Sequence, residues 1–299
     1  MIEYTEADLA PAVDHLAEVA CIWEVNARKM GNVYPGVSFA DTAAVDFLLS
    51  AAAIRNLLRF PGSFGSSFVI KRAVEETQLA VGRNTNLGII LLVVPLANAF
   101  RPTLTFRRAI EKELQELTTD DARLVFEAIR LASPGGLGDA PEQDVNSEPT
   151  VTLLEAMKLA ADRDLVARQY ANGFADVFDF GVPSFLMGFE KFGCVEAAII
   201  DSQLRWLAEY PDSLIARKKG NAVAADVQQR AKEVLALGGI ATVEGRRAGV
   251  ALDRHLRSDG NKLNPGTTAD LITACLFVAL RENKVAPNSP FRWQVPDWL

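Results

Sequence analysis

The sequence contains few residues of the types that build covalent cross-links and imidazole metal sites. Its 299 residues include three cysteines and two histidines. Cys21, Cys194 and Cys275 lie far apart without a CxxC pair, which excludes a disulfide framework and a thiolate zinc site and predicts reduced, buried thiols. His15 and His255 are too few for a site of several imidazoles such as HExxH. Acid–base or metal chemistry in this chain must therefore depend mainly on carboxylates.

An excess of positive charge is also lacking, and so are long apolar segments. Lys and Arg total 31 against 38 Asp and Glu, a formal net charge of −7, so no basic face for nucleic acid is expected. The most apolar run, residues 87–100, contains Pro95 and Asn98 and is too short to cross a bilayer about 30 Å thick. The acidic, mixed residues 1–14 do not resemble a signal peptide. We therefore expect a cytoplasmic protein with neither a membrane nor a nucleic acid as partner.

Strand-like alternation is scarce, whereas helical periodicity runs through most of the chain. The predicted helices span residues 6–29, 41–58, 66–81, 87–100, 107–117, 122–132, 153–172, 183–209, 221–237, 249–258 and 268–282. The predicted fold class is all-α, with a single compact multi-helix domain over residues 1–285 and a buried central helix at 87–100. The loop at 133–149 is the one candidate domain boundary. Residues 286–299 are expected to form an extended tail with Trp293 and Trp298 docked on the surface.

Several segments between helices contain more Gly, Asn and charge than simple connectors need. Lys29 stands at a helix end beside Gly31, which can take a positive φ. A lysine next to bare backbone amides suits a phosphate, or it satisfies the last carbonyls of its own helix. Asn84, Thr85 and Asn86 precede the buried helix, where they either cap it or bind an anion at its N-terminus.

Two further segments combine glycine or acidic residues with helix ends. Segment 133–139, which includes Gly135 and Gly136, allows close backbone approach to a ligand but is neither a Walker A loop nor a dinucleotide fingerprint. Glu155 and Asp162 share a helix face, and such acids either hold Mg²⁺ or form a solvated face. Together with similar segments near the C-terminus, these helix ends fit a nucleotide phosphate site with a divalent metal.

Seven segments, taken in order, resemble the triphosphoribosyl-dephospho-CoA synthase family. They are EVNARKMGNV (24–33), SFADT (38–42), NTNLG (84–88), SPGGLG (133–138), ADRD (161–164), PDSLIARK (211–218) and NPGTTAD (264–270). The resemblance runs from about residue 17 to residue 280, nearly the whole chain. It implies an all-helical transferase that breaks the N-glycosidic bond of ATP and joins the triphosphoribosyl group to the 2′-hydroxyl of 3′-dephospho-CoA.

The chain departs from the better-known branch of this family at two places. That branch has TPKPG where residues 27–31 read ARKMG, and NTHKG where residues 84–88 read NTNLG. These departures leave the acceptor open. A homologous transferase with a pterin-type C1 carrier as acceptor and a magnesium-dependent N-glycoside hydrolase are the alternative enzymes. A helical interaction module without activity is the alternative from a different class. The argument against it is the presence together of Lys29, Asp41, Asp162, Asp164 and Asp212.

The chemistry that the resemblance implies assigns roles to particular residues. Cleavage at C1′ of ATP should pass through an oxocarbenium-like state stabilised by a carboxylate, and the triphosphate needs Mg²⁺ and cations. The assigned residues are Lys29, Asn84, Asn86, Gly135, Gly136, Arg217 and Lys218 for phosphates, Glu155, Asp162 and Asp164 for the metal, and Asp41 and Asp212 for the base or the cation-stabilising carboxylate. We expect these residues to border one cleft that binds ATP and 3′-dephospho-CoA or a related acceptor. A homodimer is compatible with the sequence.

Overall fold

The computed structural model describes residues 12–135 and 142–294, and helices make up most of the chain in these ranges. The helices are α1 (Val13–Asn26), α2 (Ala44–Arg55), α3 (Ser66–Val81), α4 (Leu87–Asn98), α5 (Phe106–Gln115), α6 (Thr119–Ala132), α7 (Leu153–Ala160), α8 (Leu165–Ala171), α9 (Val182–Phe192), α10 (Val195–Glu209), α11 (Ser213–Lys219), α12 (Asn221–Ala236), α13 (Val243–Arg257) and α14 (Gly266–Arg281). Within the described ranges there is no β-strand, only an isolated bridge between Tyr34 and Val37. The predicted all-α class is confirmed.

Several predicted helices differ from the observed ones at identifiable residues. The pattern over 153–172 is divided into α7 and α8 because the Asp164 side chain accepts the N–H groups of Val166 and Ala167 and so starts a new helix. The pattern over 183–209 is divided at Gly193, which ends α9 with φ +67°. Helix α11 was not predicted, since its seven residues follow Pro211 in a segment that looks like a polar loop.

Helices α4 and α14 form the centre of the molecule and pack against each other and α1. Every residue of α4 is buried except Gly88, and α14 is buried from Leu271 to Leu280. Fully burying one Leu, Ile or Val side chain contributes about 1.5–3 kcal/mol, so this apolar pair dominates the core. The predicted buried central helix is therefore present, although it ends at Asn98.

The buried α4 keeps its backbone hydrogen-bonded although it contains a proline. Pro95 has no N–H to donate to the carbonyl of Leu91, and the Tyr170 hydroxyl donates to that carbonyl instead, at 2.7 Å. At the C-terminal end of α4, the Arg281 guanidinium donates to the carbonyls of Leu96, Ala97 and Ala99. Burial lowers the pKa of Arg281 to about 10. A cation at this position also compensates the negative end of the helix dipole.

A second apolar cluster joins α10, α12 and α13 with the segment after α1 and with the C-terminal residues. Gln203 accepts the Met30 N–H and donates to the Met30 carbonyl, at 2.9 and 2.8 Å. The extended residues after α14 reach the start of α10. There Trp293 is buried, and its backbone N–H donates to the Glu196 carboxylate. Trp298, the other tryptophan expected to dock, lies outside the described residues.

In the part of the chain that the structure describes, no helix combines the length and the apolar character needed to cross a membrane.

Candidate active site

A cleft of about 840 Å³ opens where several helices begin or end. Its wall contains the N-terminal ends of α4 and α14, the C-terminal ends of α1, α6 and α11, the start of α8, one side of α7 and the segment before α2. All seven segments that carry the family resemblance contribute at least one residue to this wall. Residues distant along the chain thus meet around one space.

The first turns of α4 and α14 present backbone N–H groups near the cleft. Asn84 caps α4, since its side chain accepts the N–H of Leu87 at 3.0 Å. Asn86 is 5% exposed, and its side-chain amide nitrogen has no hydrogen-bond partner among the described residues. Before α14, the Asn264 side-chain oxygen is likewise buried with no partner in the described part of the chain. Unpaired buried polar atoms are costly, so the cleft wall contains polar groups that a ligand could satisfy.

Two carboxyl groups, Glu24 and Asp270, line the inner part of the cleft. The ideal Cβ position of Gly88 lies 2.0 Å from the Asp270 Oδ2, so only a glycine allows α4 to pass the Asp270 carboxyl this closely. Burial is the largest cause that raises the pKa of Asp270 well above its usual range, and the negative charge of Glu24 is the next. Glu24 itself has a cation in contact, because the Lys29 Nζ lies 2.9 Å from its Oε1.

A basic rim also borders the cleft. Arg217 donates to Asp164 at 2.9 Å, and Lys218 donates to the carbonyl of Asn261 at 3.3 Å. Burial, followed by the neighbouring Arg217, lowers the pKa of Lys218. Both cations line the cleft, as do Arg83 and Arg163. Cations and helix N-termini around one cavity suit a polyanionic ligand.

Lys29 does not lie where a phosphate ligand was expected. Its side chain is 1% exposed, pairs with the Glu24 carboxylate and donates to the Glu24 carbonyl. The chain turns away after α1, and Gly31 takes φ +70° and donates its N–H to Asp253. Lys29 therefore lies behind the cleft wall, where it compensates the charge of Glu24, and it does not line the cavity.

Asp212 is also a structural residue and not a lining one. It is fully buried and caps α11 by accepting the N–H groups of Leu214 and Ile215. Its second oxygen accepts the N–H and the hydroxyl of Thr268, both at 2.8 Å. The carboxylate thus connects α11 to the start of α14, and both of its oxygens are occupied by donors of the protein itself.

The three carboxylates expected to hold a metal do not come together. Glu155 completes the capping box of α7 with Thr152, and Asp162 is exposed outside the cleft. Asp164 lines the cleft, but it caps α8 and pairs with Arg217. Among the described residues, no group of three or more Asp, Glu, His or Cys side chains is arranged to hold a metal ion.

The remaining expected residues divide into those that line the cleft and one that lies outside the described ranges. Asp41, Asn84, Asn86, Gly135, Arg217 and Lys218 all line the cavity. Gly136 falls in 136–141, outside the described residues.

Sequence reasoning missed Glu24 and Asp270, although both stand in segments that carry the family resemblance. From the sequence, Asp270 was interpreted as a residue that stabilises a helix N-terminus. The local sequence does not distinguish that role from a position in the cleft wall.

Comparisons with known proteins give the same family as the seven segments. A family model described as CitG: ATP:dephospho-CoA triphosphoribosyl transferase matches residues 10–289. A Pseudomonas putida protein named "Probable 2-(5''-triphosphoribosyl)-3'-dephosphocoenzyme-A synthase" is 37% identical over 113 residues, which are 38% of this chain and 40% of that protein. A protein of the same name from Pseudomonas syringae pv. syringae is 33% identical over 124 residues, 41% of this chain and 42% of that protein. This chain thus matches about 40% of the length of these curated relatives.

A solved structure extends the likeness to most of the fold. The crystal structure of an Archaeoglobus fulgidus protein assigned as a triphosphoribosyl-dephospho-CoA synthase superposes with a TM-score of 0.60 and 27% identity. The match covers 79% of this chain and 98% of that one. With a family model matched over residues 10–289 and a crystal structure of similar fold, the chain belongs to the CitG family of ATP:dephospho-CoA triphosphoribosyl transferases.

Proposed function

We propose that this chain is an enzyme that transfers the triphosphoribosyl group of ATP to the 2′-hydroxyl of 3′-dephospho-CoA and releases adenine. The observation that carries the proposal is the meeting of all seven family segments around one cleft of about 840 Å³. In this reaction, the bond between C1′ and the adenine nitrogen breaks and a bond from C1′ to the acceptor oxygen forms. The proton of the acceptor hydroxyl leaves on adenine, so atoms and charge balance.

The charges around the cleft suit the triphosphate. It carries about four negative charges, which must be neutralised for binding and reaction. Arg217 and Lys218 lie at the rim, and the N-terminal ends of α4 and α14 add backbone donors and positive dipole ends. Gly135 lies beside this rim, since its ideal Cβ position is 3.4 Å from the Lys218 Cε. Small residues here let backbone and ligand approach closely.

Magnesium fits this site only in company with the nucleotide. Mg²⁺ usually keeps several waters and is held by one or two carboxylates together with substrate phosphates. The cleft has carboxylates at its rim, Asp41 and Asp164, but no protein-only cage in the described residues. We therefore propose that Mg²⁺ arrives with ATP, where it would neutralise phosphate charge. Asp41 is the rim carboxylate that would complete its ligands, since both oxygens of Asp164 already accept hydrogen bonds within the protein.

The proposed reaction is tested by incubating the purified protein with ATP and Mg²⁺, with and without 3′-dephospho-CoA. Adenine is measured by chromatography, and the acceptor is measured by mass spectrometry. We expect one adenine for each acceptor that gains a triphosphoribosyl group, and no adenine when the acceptor or the metal is withheld. Adenine release without any acceptor would identify a hydrolase instead. ADP or AMP in place of adenine would overturn the proposed cleavage of the glycosidic bond.

A further inference from the structure

Two carboxyl groups in the cleft have contrasting surroundings. Glu24, at the C-terminal end of α1, is paired with the buried Lys29. Asp270, in the first turns of α14, has no hydrogen-bond donor or cation in contact among the described residues. Contrasting surroundings of this kind suit two acids in one site to different proton-transfer roles.

The groups facing Asp270 favour its protonated form. Burial raises its pKa most, and Glu24 from α1, Asp212 before α11 and Asp164 before α8 raise it further. Arg217 of α11 acts in the opposite direction, but it is already paired with Asp164. From α4, the facing residue is the uncharged Gly88. Asp270 can therefore enter a reaction as a proton donor.

The position of Asp270 also suits contact with a ligand. It lines the cleft beside the start of α4, with its carboxyl against the backbone at Gly88. Next to it, the buried Asn86 side chain lines the cavity, and its amide nitrogen has no hydrogen-bond partner within the described ranges. A purine has ring nitrogens that accept hydrogen bonds from such groups. A carboxyl and a carboxamide at one end of the cleft thus form a pocket suited to a purine base.

We propose that Asp270 donates the proton that adenine takes up as it leaves, and that Glu24 accepts the proton of the attacking acceptor hydroxyl. This inference rests on the proposed function. As the C1′–N9 bond breaks, its electron pair goes to adenine and the Asp270 proton goes to a ring nitrogen. As the acceptor oxygen bonds to C1′, its proton goes to Glu24. Transfer of that proton from Glu24 to Asp270 then restores both groups.

Leaving-group protonation can be separated from other roles with a substrate that does not need it. In N7-methyl-ATP the purine is already cationic and departs without a proton. We expect Asp270→Asn to slow adenine formation from ATP by at least about 100-fold, and to slow reaction of N7-methyl-ATP by less than about fivefold, because protonation then contributes nothing. Glu24→Gln should slow both substrates, since both need the acceptor to be deprotonated. The exposed Asp120→Asn is the matched control and should leave both rates unchanged.

A pH profile of the wild type tests the same role without any variant. The rate with ATP should fall as pH rises through the pKa of Asp270. This fall at high pH should be absent with N7-methyl-ATP. Thermal unfolding checks the fold of Asp270→Asn. Because a raised pKa means that ionisation destabilises the folded state, the variant should gain stability over wild type near about pH 8 and lose that gain near about pH 4.

Each outcome decides between distinct conclusions. Equal slowing of ATP and N7-methyl-ATP in Asp270→Asn, or no slowing of either, would overturn the role of Asp270 as proton donor. If the rate of the wild type with N7-methyl-ATP also falls at high pH, the role of Asp270 as proton donor is overturned as well. If the wild type releases no purine from ATP with 3′-dephospho-CoA, the proposed function itself fails, and this inference falls with it.

Discussion

At the residue scale, the structure changes which carboxylates are assigned to chemistry. Asp212 was a candidate catalytic residue from sequence, but each of its oxygens accepts two hydrogen bonds from the protein. Aspartate before a short helix is a frequent N-cap, and only the fold reveals that the second oxygen also binds Thr268. Glu24 and Asp270 became apparent only when α1, α4 and α14 were seen to meet.

Replacing Asp212 should therefore affect folding first. In Asp212→Asn, an amide replaces one oxygen, and two donors lose their acceptor. We expect a loss of about 2–4 kcal/mol in the free energy of unfolding, measured by urea denaturation. The exposed Asp120→Asn should change it by less than about 0.5 kcal/mol. If Asp212→Asn unfolds like the wild type but makes no product, Asp212 is catalytic and our structural assignment is wrong.

Lys29 provides a second test at this scale. In Lys29→Met, Glu24 would remain buried without a cation, which costs about 3–5 kcal/mol for a broken buried ion pair. Adding Glu24→Gln removes the uncompensated charge, so the double variant should recover at least about 1 kcal/mol of that loss. Urea denaturation of the three variants measures this coupling. A Lys29→Met protein of normal stability that binds ATP weakly would restore the phosphate role expected from sequence.

At the element scale, the long apolar helices were predictable and the short polar ones were not. Helix α4 stands out because it falls in the most apolar run of the chain, residues 87–100, directly after Asn84, Thr85 and Asn86. Helix α11 has seven residues in a charged segment, and its stability depends on Asp212 and on contact with α14, which sequence periodicity cannot report. For the same reason, the break between α7 and α8 at Asp164 was missed.

The approach of α4 to α14 at Gly88 is the element-scale feature on which the site depends most. An alanine methyl at this position would lie 2.0 Å from the Asp270 Oδ2. We expect Gly88→Ala to destabilise the fold by about 1–3 kcal/mol and to reduce adenine release, because the Asp270 carboxyl must move. Gly65→Ala is the control, since nothing lies within 4 Å of its ideal Cβ. Unchanged activity in Gly88→Ala would show that the placement of Asp270 is not needed.

At the scale of the whole molecule, a net charge of −7 repels a polyanion at long range, so the proposed ATP site must depend on the local positive charge of the basic rim. Lys218→Met removes a cation that lines the cleft, and we expect the Kd for ATP with Mg²⁺ to rise about 10- to 100-fold, as for the loss of a charge-assisted contact of roughly 1.5–3 kcal/mol. Lys219→Met is the matched control, because Lys219 pairs with Asp259 outside the cleft. Isothermal titration calorimetry measures both. Equal Kd values for the two variants would contradict a phosphate site at Lys218.

The central claim is that the cleft between the first turns of α4 and α14 binds the ATP whose glycosidic bond is broken. Photolabelling with 8-azido-ATP, followed by peptide mapping, tests it most directly. The account predicts label on peptides that contain residues 84–88 or 264–270, and loss of that label when excess ATP competes. Label confined to α5, α9 or α12, none of which contributes to the described cleft wall, or label that ATP does not displace, would contradict it.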